Sequence, residues 1–260
     1  MADLEFKKLM YTTRVLSRDT QYHLQAFEWE AKRDTLVLQL ADIPILARAY
    51  QARRKEPYRS NPQITLVDPT PGVRLANACE ATANCLYSIA EIASNFANKV
   101  STGTLPAGFN KLRKMCEQDP SLEVAVALGD LQWYRKVREL RTEWAHYSSI
   151  FIGEDANGTI ELGVRAFRRP SDKVEFHGPI FMCPLRDFVG WVESALATLD
   201  SFAGYLLRTF VIPTMPLDNT FLAPVYDENG FPITRQDHTF VVETISVREF
   251  LKRGDIAVDG

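Results

Sequence analysis

Residues 119–147 read DPSLEVAVALGDLQWYRKVRELRTEWAHY, and their spacing decides the fold. Asp119 offers a side-chain oxygen to the unpaired amides of a helix start, and Pro120 lacks the N–H that the first helical position does not need. The predicted helix runs from there to about Tyr147. At 100° per residue Trp133, Val137, Leu140, Trp144 and Tyr147 fall within about 40° of one direction, a stripe to be buried. Arg138, Thr142 and His146 then lie about 140°, 180° and 220° from the stripe centre, a polar row at four-residue spacing on the opposite face. Arg141 lies about 80° off the stripe, on the flank between the two faces. A helix with one such apolar face packs on other helices, so the fold is expected to be a helical bundle.

Upstream, residues 19–55 read as a long helix with Leu24, Phe27, Ala31 and Leu38 as its apolar positions. Pro44 is expected to kink or split it, because proline removes a backbone donor and clashes one turn back. The basic end, Arg48, Arg53, Arg54 and Lys55, suits a helix C-terminus. EPYRSNPQITLVDPTPG, with its four prolines, is a loop. A second long helix follows from Thr70-Pro71, with the seam Cys79, Ala83, Leu86, Ala90, Ala93, Ala97 and Val100, whose small residues permit close helix approach. STGTLPAG ends it, and a short helix is expected around 106–117.

Past Tyr147 the period changes. In SSIFIGEDANGTIELGVRAF two β-favouring runs flank DANG, a hairpin turn, and a third short strand is expected around Lys173–Phe176. Pro184 opens another amphipathic helix with Leu185, Val189, Val192, Leu196, Leu199 and Leu206 on one stripe. Four prolines between Pro213 and Pro232 mark the end of the compact part near residue 210. The expected architecture is mainly α: a helical domain over residues 1–210, a small β insertion at about 149–177, and an extension over 211–260 with one strand and a helical turn.

Composition bounds the chemistry. The 260 residues carry 30 basic and 33 acidic side chains, a net charge of −3, which excludes indiscriminate nucleic-acid binding by the whole surface. The 46% hydrophobic content builds a sizeable core. No run reaches the ~18 uncharged apolar residues of a membrane helix, and the N-terminus lacks a signal-peptide pattern. Membrane association is therefore not expected. Cys79, Cys85, Cys116 and Cys183 form no CxxC pair and read as reduced, buried thiols of a cytoplasmic protein. His23, His146, His177 and His238 are scattered, with none at HxxxH spacing, so no metal site is expected. The absence of GxGxxG and GxxxxGK[ST] removes the usual nucleotide-cofactor signatures, and no cofactor is expected.

The stretch VRELRTEWAHYSS resembles the signature of the HEPN superfamily, an all-helical domain of many prokaryotic toxin and defence proteins. That signature is an Arg, a polar residue, a few further positions and a His; here Arg141, Thr142, Glu143-Trp144-Ala145 and His146 take those places. The resemblance covers about residues 20–208. Thr142 stands where Asn or Asp is more usual. Ser148 stands where relatives paired with nucleotidyltransferase antitoxins carry a Tyr, with Tyr147 one position early.

The resemblance implies a metal-independent endoribonuclease with Arg141, Thr142 and His146 as catalytic residues. The residue types agree. His146 can exchange a proton near neutral pH, Arg141 offers planar donors to a phosphoryl group, and the Thr142 hydroxyl can orient a phosphate or an imidazole. RKVRELR, residues 135–141, holds four basic side chains and one acid, so Arg135, Lys136 and Arg138, with Tyr147, are expected to contact RNA. A second basic group, Arg165, Arg168, Arg169 and Lys173, reads as a solvated loop. Arg141 and His146 point about 140° apart on one straight helix. The family resolves this by dimerising, so the implied partners are a second copy of the chain, RNA as substrate, and an antitoxin or other regulatory protein. Two other readings stay open: a catalytically silent HEPN-like module that binds RNA, a nucleotide or a protein, and an unrelated helical scaffold with an accidental RxxxxH.

Overall fold

The computed structural model describes Met10 and residues 20–54, 70–146, 150–155, 157–168, 175–214, 218–225, 233–237 and 239–253. Over these the protein is mainly helical with a small antiparallel sheet. Seven α-helices occur among the described residues: α1 (Thr20–Arg54), α2 (Thr70–Val100), α3 (Phe109–Gln118), α4 (Glu123–Leu128), α5 (Gln132–His146), α6 (Leu185–Leu206) and α7 (Val247–Arg253). Strands β1 (Ile150–Glu154), β2 (Ile160–Arg168) and β3 (Glu175–Pro184) pair in that order. Strands β4 (Thr220–Pro224) and β5 (Val242–Ser246) form a separate antiparallel pair. By internal contacts the chain divides into two compact units. One holds Ala31–Glu91 and Gly129–Thr198; the other holds Met1–Glu30, Ile92–Leu128 and Leu199–Gly260.

The first of these units contains α5 and the sheet. Trp133, Val137, Leu140 and Trp144 of the predicted stripe are buried on α5, joined by Tyr134, which the stripe did not include, while Tyr147 lies outside the described residues. From α2 the small residues Cys79, Ala83 and Ala90 are fully buried. Close approach shows at Gly72, where an added Cβ would stand 3.3 Å from the Tyr50 ring of α1. The Cys85 thiol donates to the Lys32 carbonyl at 3.4 Å, again joining α2 to α1. Trp144 packs on Phe188 of α6, with ring centroids 6.2 Å apart.

The expected hairpin forms across Asp155–Gly158. The Asp155 carboxylate accepts the amides of Asn157 and Thr159, and Gly158 takes a left-handed φ of 80°. The third strand is longer than the Lys173–Phe176 expectation, running to Pro184, with register shifts between Leu162 and Gly163 and between Arg165 and Phe167. His177, read as part of a turn, belongs to this strand.

The predicted single helix over 119–147 is two helices. Asp119 does not open one: its carboxylate accepts the Ser121 amide and hydroxyl within a turn, and helix begins only at Glu123. Gly129, at φ 54°, then ends α4, and Asp130 starts the next helix by accepting the Gln132 amide at 2.9 Å. The reading of α1 is corrected in two ways. Pro44 does not split the helix, which continues through it as one element to Arg54. Its buried positions are Ala26, Trp29, Arg33, Leu36 and Ile43, whereas Leu24, Phe27 and Leu38 are exposed at 71%, 59% and 69%.

In the other unit, the Trp29 ring meets Phe96 edge-on at 5.9 Å, and α3 buries Phe109, Leu112 and Cys116. The end of α2 closes through left-handed Thr102 and Gly103, with the Gly103 amide donating to the Asn98 carbonyl. Of the predicted α6 stripe, Leu199 and Leu206 are buried in this unit, and Leu185 and Val192 are buried in the first, where Val189 and Leu196 are half-buried. The segment Leu185–Thr214 is long and apolar enough to cross a membrane, and 56% of its apolar window is buried within the protein. The extension contains two strands where one was expected. Ala223, Ile245 and Phe250 form their own small core, closed by ion pairs from Arg253 to Glu243 and Glu249.

Candidate functional site

The α5 residues singled out from sequence divide between its outer face and its two flanks. Arg135 and Arg138 are exposed on the outer side. Lys136 lies on one flank, where it pairs with Glu139 at 3.5 Å, so part of the positive charge in RKVRELR is balanced within the helix. Thr142 is exposed, and its hydroxyl donates to the Arg138 carbonyl at 2.8 Å, one turn back. His146 is the last residue of α5; its side chain, like the whole of Tyr147, lies outside the described residues.

Arg141 occupies the other flank and is the most closely defined of these residues. Its Nε donates to Asn84 Oδ1 of α2 at 3.0 Å, and its guanidinium carbon lies 4.4 Å from the centre of the Tyr87 ring. Tyr87 also stacks on Tyr134, with centroids 5.9 Å apart and planes 18° from parallel. Tyr134 and Arg141 are seven residues apart, two turns or about 10.5 Å along the axis, which leaves room for one ring between them. Tyr87 therefore fills the gap, with the Tyr134 ring on one side and the guanidinium on the other. Among the described residues Arg141 makes no other hydrogen bond and no ion pair.

The sequence reading missed Asn84, Tyr87 and Tyr134. A signal was present on α2: Asn84, Tyr87 and Glu91 follow a three- and four-residue spacing beside the small-residue seam, a polar row at its edge. Burial raises the Tyr134 phenol above its ordinary value; neighbouring Tyr87 and Glu91 add to the shift and Arg138 opposes it.

No known protein family, curated protein or solved structure matches the chain.

Away from this flank the cysteines are governed by burial. Burial raises the Cys79 and Cys183 thiols to about 12 each, and each lies within the electrostatic reach of its neighbours, Cys183 for Cys79 and Asp187, Glu161 and Lys136 for Cys183. All four cysteines are free and buried. Among the described residues no group of three His, Cys, Asp or Glu side chains is placed to hold a metal ion. Of the other two histidines, His23 lies on α1 with its side chain outside the described residues, and His238 is wholly outside them, as are Arg169 and Lys173. The side chains of Arg165 and Arg168, on β2, are likewise not described.

Proposed function

We propose that the protein is a HEPN-like domain acting as a metal-independent endoribonuclease in a toxin or defence setting. The observation that carries this reading is the state of Arg141. It is exposed, tied by one nitrogen and set over a ring, with no carboxylate partner among the described residues. An arginine that only solvates a helix or balances an acid has no need of such a mount.

The chemistry follows from the residue types. In RNA cleavage by the neighbouring 2′-hydroxyl, that oxygen loses a proton and attacks phosphorus. A 2′,3′-cyclic phosphate forms, and the bond to the 5′-oxygen breaks as that oxygen gains a proton. His146 serves in proton transfer, and the Arg141 fork stabilises the negative charge that gathers on the phosphoryl oxygens. Arg135 and Arg138 hold flanking phosphates. Because Arg141 and His146 diverge on one helix, the working unit is an isologous homodimer in which two copies of the polar row face one groove. An antitoxin or other regulatory protein would act by covering that groove.

The test is incubation of purified protein with mixed RNA in EDTA, beside His146→Ala and Arg141→Ala. Cleavage that survives both substitutions sinks the assignment. A second reading has one specific observation in its favour: the Thr142 hydroxyl donates its proton to the Arg138 carbonyl and so has none to give a substrate. On that reading the domain binds RNA, a nucleotide or a protein without cutting. Wild-type protein that shifts RNA in a gel yet leaves it intact would establish it.

A further inference from the structure

We infer that Asn84 and Tyr87 of α2 are positioning residues that make Arg141 a preset receptor for one phosphodiester group. This rests on the ribonuclease reading only for the identity of the ligand; the positioning itself stands on the geometry. An arginine side chain has four flexible torsions and five N–H donors. Left to itself on a helix surface it samples many rotamers, and ordering it on a substrate costs conformational entropy. Here two contacts remove that freedom in advance. The Nε–H to Asn84 Oδ1 bond, 3.0 Å long, anchors one nitrogen of the guanidinium, and its carbon sits over the Tyr87 ring, 4.4 Å from the centre. Both contacts come from the same face of α2, three residues apart, and Tyr87 is itself braced by Tyr134.

What is left over is directional. With Nε engaged and the guanidinium set over the Tyr87 ring, the four N–H groups on the two Nη nitrogens make no hydrogen bond to the described residues, and these are the donors that match a phosphate or a carboxylate two at a time. Asn84, a neutral amide, adds no charge of its own. A carboxylate at position 84 would have neutralised the guanidinium; an amide oxygen aims it and leaves the charge available to a ligand. The ligand class is therefore an anion with paired oxygens, and within the ribonuclease reading it is the scissile phosphodiester.

The experiment is a double-mutant cycle. Asn84→Ala, Tyr87→Leu and Tyr87→Phe are made in the wild-type and Arg141→Ala backgrounds, and cleavage of a defined RNA is followed in each. Asn84→Ala and Tyr87→Leu are expected to lower kcat/KM by about tenfold or more in the wild-type background, the scale set by a misplaced catalytic group. In the Arg141→Ala background they should cost less than about twofold, because residues acting through one partner are not additive. Tyr87→Phe keeps the ring and should stay near wild type. Losses of equal size in both backgrounds overturn the proposal, since that is what a purely structural role gives.

A readout independent of activity separates the two claims. The Arg141 Nε–Hε resonance in a nitrogen–proton spectrum should be shifted by the Tyr87 ring and slow to exchange in the wild type, and should collapse toward the free-arginine position in Asn84→Ala and Tyr87→Leu. If the wild type cuts no RNA but this resonance behaves as described, the ribonuclease reading fails and the positioning claim stands. If the resonance is unchanged by both substitutions, the positioning claim fails whatever the activity.

Discussion

Leu36 and Leu38 stand two residues apart on α1 and face opposite ways: Leu36 is fully buried, and Leu38 is 69% exposed. Two steps of 100° carry a side chain just past the opposite side of a helix, so one leucine is surrounded by packed side chains and the other by solvent. Leu36→Ala should destabilise the protein by about 2–5 kcal/mol, the transfer and cavity cost of a core leucine. Leu38→Ala should change stability by no more than about 0.5 kcal/mol. Denaturant midpoints of the two variants decide it, and equal midpoints would put Leu38 in an interface that the single chain does not show.

The same pair explains where the sequence could and could not be read. α1 carries two apolar rows at helical spacing, Leu24, Phe27 and Leu38 on one side and Ala26, Trp29, Leu36 and Ile43 on the other. Periodicity finds both rows but does not say which one meets the rest of the chain, because that depends on residues far away in sequence. On α5 there is one apolar row, and Trp133, Val137, Leu140 and Trp144 were legible at once. Arg141 was placed on the right flank by angle alone. Its partners on α2 were not, since a contact across 57 residues leaves no local trace.

Gly129 marks the division between α4 and α5, and its left-handed φ of 54° is the reason it does so. Nothing stands within 4 Å of an added Cβ there, so the cost of Gly129→Ala is conformational and not steric: about 1–2 kcal/mol for an L-residue held in that region. Asp130→Ala removes the oxygen that accepts the Gln132 amide and should cost about 1 kcal/mol more. Thermal unfolding of the two single variants and the double measures both; a stabilised Gly129→Ala would mean that 119–147 prefers to be one continuous helix.

The buried thiols set an alkaline limit. Cys79 and Cys183 are raised to about 12 by burial in the folded protein, against roughly 8.5 for an exposed thiol. The unfolded chain therefore gives up these protons first. Their contribution to stability is complete below about pH 8.5 and declines as the pH climbs from there toward 12. Native protein at pH 8 should resist iodoacetamide at both positions, and denaturant midpoints should fall between pH 8.5 and 10.5 by less in a Cys79→Ala, Cys183→Ala double variant than in wild type. Rapid labelling of either thiol in the native state would contradict the burial.

Thr142 separates two ways in which its hydroxyl can matter. If it oriented the scissile phosphate by donating a hydrogen bond, removing it should damage cleavage about as much as removing Arg141. The geometry argues otherwise, since its proton already goes to the Arg138 carbonyl at 2.8 Å, a bond satisfied within the helix whether or not RNA is present. Thr142→Val keeps the shape and the β-branched backbone preference while deleting the donor. We expect its kcat/KM on RNA to stay within about threefold of wild type, against a loss of about a hundredfold or more for His146→Ala, the range of a removed general acid or base. Thr142→Ser, which keeps the hydroxyl but frees its rotamer, should match Thr142→Val. A loss in Thr142→Val that Thr142→Ser restores would show that the hydroxyl leaves Arg138 for the substrate, and would bring this position back to the place that Asn or Asp holds in the HEPN signature.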